Sequence, residues 1–207
     1  MNAPVSRRIG SVILFSAALF VWGCSAVSPA VQFYTLSAIQ PGPADKMASD
    51  LKVVVGPVRL PGYLDRPQMV FRTGKNKIQM VEYHRWADSL KENITWGLAE
   101  NIGILLKSDH VSMYPRETAD HPDYQVFINI RQFDGWFGKR VRIGAYWTVR
   151  VSGHPSMTPS RQEKTIVEEP VDGKTHQDMV AAFSRAIETL SRDIAGVILA
   201  MDRQNRS

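Results

Sequence analysis

Few residues in this chain of 207 are equipped for chemistry: one cysteine, Cys24, and five histidines, His84, His110, His121, His154 and His176. A thiol can serve as nucleophile, metal ligand, disulfide partner or acyl acceptor, and its setting decides among them. Cys24 follows Val21-Trp22-Gly23 at the end of a mostly apolar run, Ile9 to Trp22, that Arg7 and Arg8 precede. A transmembrane helix needs about 20 apolar residues, so a run this short reads as the hydrophobic region of an export signal. A single cysteine cannot close an internal disulfide, whereas acylation at the end of the signal would give it a use. Two other readings stand beside that one: an uncleaved signal anchor, or cleavage elsewhere that leaves Cys24 as a free thiol.

The histidines offer less. None lies four residues from another or near the cysteine, so metal binding has little support and no metal site is expected. Nucleophile-elbow, phosphate-loop and H-E-x-x-H patterns are all absent. The adjacent pairs Asp109-His110 and Glu168-Glu169 read as solvated charge, because neighbours on a strand point to opposite faces. Asn93-Ile94-Thr95 fits a glycosylation sequon but falls inside a helical pattern. The chain is therefore expected to have no catalytic residues and no cofactor apart from a covalent lipid on Cys24.

Val21-Trp22-Gly23-Cys24 resembles the lipobox of bacterial lipoproteins, with Trp22 bulky for its position. The resemblance implies cleavage before Cys24, three acyl chains on that residue, and, with Ser25 rather than aspartate next to it, residence on the periplasmic face of the outer membrane. The expected organisation is a lipoprotein signal peptide over 1–23, an acylated N-terminus and tether over 24–30, and one domain over 31–207. Loss of Arg7 and Arg8 with the signal leaves 23 basic against 20 acidic side chains, too mild a balance to argue for nucleic acid. The basic residues Lys139, Arg140, Arg142 and Arg150 read as a solvated sheet face.

Two helices are expected. The first, from about Arg85 to Lys107, has Trp86, Leu90, Ile94, Leu98, Ile102 and Leu105 in one stripe. The second, from about Thr175 to Met201, has Met179, Phe183, Ile187, Leu190, Ile194 and Val197, with Thr175 and Asp178 placed as a capping box. Strands are expected at Leu51–Val58, at Gln68–Thr73 and Lys77–Glu82 around the turn Gly74-Lys75-Asn76, and at Tyr124–Ile130 and Val141–Val151. Thr165–Val171 offers another. The fold class is α+β (α/β-like): a single domain with a mixed β-sheet and two main helices packed on it.

Between Gly56 and Arg72, three prolines and two glycines stiffen and turn the chain behind a buried-type strand. Pro61, Gly62, Tyr63, Leu64, Asp65, Arg66, Pro67 and Gln68 form a loop with one of two uses. It is either a rigid binding element for a partner or a neighbouring copy, or a crossover whose tyrosine and leucine cap the core.

The same segment carries a wider resemblance. The block Gly56-Pro-Val-Arg-Leu-Pro-Gly-Tyr-Leu-Asp-Arg-Pro-Gln68 is similar to one in the PqiC/YmbA group of outer-membrane lipoproteins, the ABC-type transport auxiliary components. Phe33-Tyr34-Thr35-Leu36, Trp86-Ala87 with Leu90, Trp147, and the Ala182, Ser184, Ala186, Leu190, Ser191, Ile194, Ala195 pattern extend it over the mature domain. The resemblance implies a non-enzymatic subunit of an MCE-type intermembrane lipid transport system, docking or capping a periplasmic tunnel and supporting envelope integrity. Its implied partners are the MCE-domain tunnel protein, an inner-membrane permease-like component, the outer membrane through the acyl chains, and further copies of itself. The alternative is a periplasm-facing lipid-binding carrier or receptor lipoprotein acting on its own.

Overall fold

Apolar alternation in two neighbouring stretches builds the longest ladder of the fold. In a computed structural model of the chain, β6 (Tyr124–Trp136) and β7 (Arg140–Val151) pair antiparallel from Tyr124↔Val151 to Trp136↔Arg140. The structure describes residues 29–42, 48–115, 121–152 and 159–206, and the folded unit spans Val31–Ser207. The signal segment, Cys24 and most of the tether lie outside the described residues. The strand expected to end at Ile130 continues through Gly135 and Trp136; the turn closes through Lys139 N–H to Trp136 O at 2.9 Å, with Gly138 at φ +63°.

β8 (Ser160–Pro170) flanks β7 antiparallel, β2 (Val53–Arg59) flanks β6 in parallel, and β5 (Val111–Met113) adds to β2, giving the order β5-β2-β6-β7-β8. A second sheet, ordered β1-β4-β3, joins β1 (Gln32–Tyr34), β4 (Lys77–Trp86) and β3 (Gln68–Gly74). The single mixed sheet expected from the pattern is thus two sheets. The break comes where β2 leaves β6 after Arg59↔Asn129 and β6 bulges between Ile130 and Gln132; beyond that point Pro61 and Gly62 carry the chain across to β3.

Helices α1 (Leu90–Leu106) and α2 (His176–Arg206) cover one face of the larger sheet. Ile94, Leu98, Ile102, Ile187, Leu190 and Ile194 are fully buried against inward-facing Val126, Ile128, Ile143 and Val149. Phe133 and Phe183 stack at 4.1 Å, with the Trp86 ring edge-on to both. α1 starts later than its stripe suggested, because Arg85 and Trp86 still belong to β4: Trp86 N–H donates to Pro67 O and Ala87 N–H to Tyr34 O. The helix opens at Ser89, whose hydroxyl accepts from Glu92 N–H and donates to the Glu92 carboxylate. Its last buried apolar residue is Leu106 rather than Leu105, and Lys107 ends it in the left-handed region at φ 54°. In α2 the expected capping box is present: the Thr175 hydroxyl and N–H donate to Asp178, and Asp178 N–H returns to the Thr175 hydroxyl.

Three polar side chains on these helices hold the segment that follows β1. Leu36 N–H donates to Asn93 Oδ1, Ser37 N–H to Ser184 Oγ at 3.0 Å, and Ile39 N–H to Asn101 Oδ1 at 2.8 Å, while Asn101 Nδ2 donates to Ser191 Oγ. Asn93 of the sequon is therefore a buried structural amide. Because the strand's own ladder stops at Tyr34, these side chains supply the partners that the backbone of Leu36, Ser37 and Ile39 would otherwise lack.

Candidate docking surface

The loop between β2 and β3 is rigid for reasons that can be read bond by bond. Ahead of the loop, inside β2, Gly56 takes φ +109°, which only glycine adopts without strain. Residues Gly62–Leu64 make one turn of 3-10 helix, with Leu64 N–H to Pro61 O at 2.9 Å and Asp65 N–H to Gly62 O at 3.2 Å. Arg66 folds back on it: its Nε donates to Tyr63 O, and its Nη1 reaches Met80 Sδ on β4. Gln68 Nε2 reaches Glu82 of β4. The C-terminal half of the loop is thus tied to β4 of the three-stranded sheet.

Its underside meets β6. Asp134, only 2% exposed, receives Arg72 Nε at 2.7 Å, Gln132 Nε2 at 3.3 Å and the Tyr63 hydroxyl at 3.3 Å. Burial first, and then the Asp134 charge, push the Tyr63 phenol above its ordinary value. The hydrogen bond to Asp134 holds the Arg72 guanidinium more firmly protonated than usual. This buried carboxylate explains why a charged residue stands in an otherwise core-facing strand.

The eight loop residues read from the sequence do not share one exposure. Leu64 is 3% exposed and belongs to the core, and Tyr63 is half-buried against Asp134. Gly62, Asp65 and Pro67 face solvent, and Pro61, Arg66 and Gln68 are half-exposed. Tyr63 and Leu64 thus pin the loop, as in the crossover use weighed for the segment, and the other six residues form its outer surface.

Beside that surface lies the outer face of the three-stranded sheet. Phe33 and Arg85 pair across β1 and β4 on the side opposite Tyr34 and Trp86, and Val70 pairs with Met80 on the side opposite Met69. Opposite the step from Gln68 to Met69, β4 carries the extra residues Glu82, Tyr83 and His84. The inward side of that bulge holds an arrangement with no sequence signature: His84 and His176, distant in the chain, stack at 3.5 Å with rings 13° apart. The Tyr34 hydroxyl lies 2.8 Å from His84 Nδ1, and Phe71 and Phe137 close the His176 side. Burial, and secondarily the neighbouring His84, lower the His176 pKa below 6.5. Only the helical start at Thr175 hinted that residue 176 would be packed.

Elsewhere the charged pairs behave as surface. Glu168 faces Arg140 and Arg142, while Glu169 turns to Arg185 on α2. Arg140 lies over Trp136 and Arg150 over Phe127 on the open face of the larger sheet. Among the described residues no three His, Cys, Asp or Glu side chains gather in a way that could hold a metal ion. No described helix is long and apolar enough to cross a membrane.

Two helices on one face of a mixed five-stranded sheet, with a clamped loop and a small second sheet, define an α+β scaffold. Residues 34–195 match the family described as the ABC-type transport auxiliary lipoprotein component, and the chain belongs to that family. No curated protein matches the chain by sequence. Among solved structures, an uncharacterized protein superposes with a TM-score of 0.65 at 17% identity, covering 82% of this chain and 99% of its own. A Xanthomonas campestris protein of the DUF330 family gives 0.60 at 16% identity, covering 84% and 99%. At such identities these two likenesses speak for the fold alone.

Proposed function

We propose that the protein is the non-enzymatic outer-membrane subunit of an MCE-type intermembrane lipid transport system, held at the periplasmic face by acyl chains on Cys24. It docks on, or caps, the periplasmic tunnel, with further copies of itself around the tunnel end, and through the tunnel it serves the inner-membrane permease-like component. Membership of the transport auxiliary lipoprotein family is the observation that carries this reading. The outer surface of the loop, Pro61, Gly62, Asp65, Arg66, Pro67 and Gln68, is the contact made with the tunnel or with a neighbouring copy. Its support is rigidity: a loop pinned by Leu64, Tyr63 and Asp134 loses little conformational entropy on binding.

Complete burial of Ile94, Leu98, Ile102 and Ile187 favours docking over a lone lipid carrier, because the helix stripes are spent on the sheet rather than on a ligand. Native mass measurement of the protein gently extracted from its membrane tests the proposal. Several triacylated copies, with or without an MCE chain, are expected. A single copy holding one phospholipid would favour the carrier, and an unacylated monomer would overturn the anchored reading. Asp65→Arg with Arg66→Ala should weaken assembly while leaving Tyr63 and Leu64 in place; unchanged co-purification would remove the loop from the contact.

A further inference from the structure

The outer face of the three-stranded sheet displays apolar side chains that the loop contact does not use. Phe33 is 64% exposed, the most exposed large apolar side chain among the described residues, and Val31, Met80 and Tyr83 are 37%, 44% and 40% exposed. A large aromatic residue on a strand is ordinarily turned toward the core, as Tyr34 and Trp86 are here; Phe33 takes the opposite face of the same short strand. Cationic side chains border the patch: Arg66, lying against Met80, and Arg85, paired with Glu82. Aromatic and thioether groups edged by arginine suit the boundary between lipid headgroups and acyl chains.

The covalent chain argues for which occupant meets this face. β1 begins at Gln32, eight residues after Cys24. At about 3.3–3.6 Å per residue, a fully extended tether keeps β1 within about 30 Å of an acylated cysteine. A tether so short converts surface contact into an intramolecular event at millimolar effective concentration, so a small apolar patch suffices.

We propose that the β1–β4 face, through Phe33, Met80 and Tyr83 with Arg85 at its border, lies against the lipid surface that holds the acylated N-terminus. This rests on acylation of Cys24. The contact sets the orientation of the domain on the membrane.

Full-length lipidated protein in phosphatidylethanolamine–phosphatidylglycerol vesicles provides the test. Because an acylated Cys24 has no free thiol, Phe33→Cys, Met80→Cys and, as the distant control, Gln162→Cys each accept a single environment-sensitive fluorophore. Labels at Phe33 and Met80 are expected to shift to the blue and to be quenched several-fold more by lipids carrying a headgroup-level nitroxide than the label at Gln162. Equal, water-like emission at all three positions overturns the proposal. Blue-shifted emission at Phe33 that depends on protein density and ignores the lipid quencher also overturns it, placing a second copy there. The intact mass of each sample separates the two levels of failure: an unacylated chain defeats the anchor as well, whereas an acylated chain with a water-exposed Phe33 defeats only the lipid contact.

Discussion

The two sheets of this domain are built from similar residues and do opposite work. In the five-stranded sheet nearly every inward side chain of β6 and β7 is buried under α1 and α2, and the outer face carries arginines over Trp136 and Phe127 together with exposed Tyr146 and Ile166. The three-stranded sheet buries Met69, Phe71 and Trp86 on one side, yet leaves Phe33, Met80 and Tyr83 in solvent on the other. Its strands are shorter and irregular, and one carries a three-residue bulge. The contrast teaches that the two sheets expose apolar residues differently. Phe33, the most exposed large apolar side chain among the described residues, stands with Met80 and Tyr83 on the smaller sheet, whereas Tyr146 and Ile166 lie on the larger one with Lys164 over Tyr146. The larger sheet and its helices hold most of the buried core, and the smaller sheet carries the face proposed to meet the lipid surface.

That division predicts a graded series of effects. Phe183→Ala removes a ring stacked on Phe133 at the centre of the larger layer. It should cost about 3–5 kcal/mol in chemical denaturation, enough to unfold a marginal domain. A loss under about 1 kcal/mol would mean that the stack is not the keystone of the core.

Asn101→Ala should cost about 1–3 kcal/mol, since it takes the acceptor from the part-buried Ile39 N–H and the donor from Ser191 Oγ, which keeps its bond to Ile187 O. Hydrogen exchange at residues 36–39 should rise together with the global loss. Exchange unchanged there would show that the side-chain clamp does not hold the segment after β1.

The stacked histidines predict a pH dependence. Burial and His84 lower the His176 pKa below its ordinary 6.5, so the folded state favours neutral imidazole. Its contribution is complete above about pH 6.5 and is lost as pH falls through the lowered native value. Asp178, held below 3.8 by its bonds to Thr175, titrates in a separate, more acidic window. Thermal melting between pH 7 and 5 should therefore show a decline that His176→Phe flattens; an equal decline in the variant would assign it to other groups.

Smallest in stability, Phe33→Ser should change folding by no more than about 0.5 kcal/mol, as expected for an exposed position. A loss comparable to that of Asn101→Ala would show that Phe33 is packed, and the contrast between the sheets would fail.

Legibility in the sequence followed the same line. The alternation of Val141, Ile143, Ala145, Trp147 and Val149, and the stripe of α2, reveal their buried faces because one partner layer covers each along its whole length. The three-stranded sheet escaped a complete reading because its partners are distant in sequence and its bulge breaks the period of two. Arg85 and Trp86 look helical by spacing, but the backbone partners at Pro67 and Tyr34 draw them into β4. Within the loop, composition announced rigidity without saying which side chains turn inward; Leu64 and the Tyr63–Asp134 bond settle that only in three dimensions. The charge at Asp134 beside Phe133 was the available clue to the buried ion pair with Arg72.

Hydrogen–deuterium exchange of the protein in its native membrane, against the same protein in detergent, tests the division between the sheets most directly. Protection is expected at 31–34, 61–68 and 78–85 in the membrane-assembled state, with β7 and β8 unchanged. Protection confined to 142–150 and 160–168, or none anywhere, would contradict the account, because the interactive face would then not be the three-stranded one.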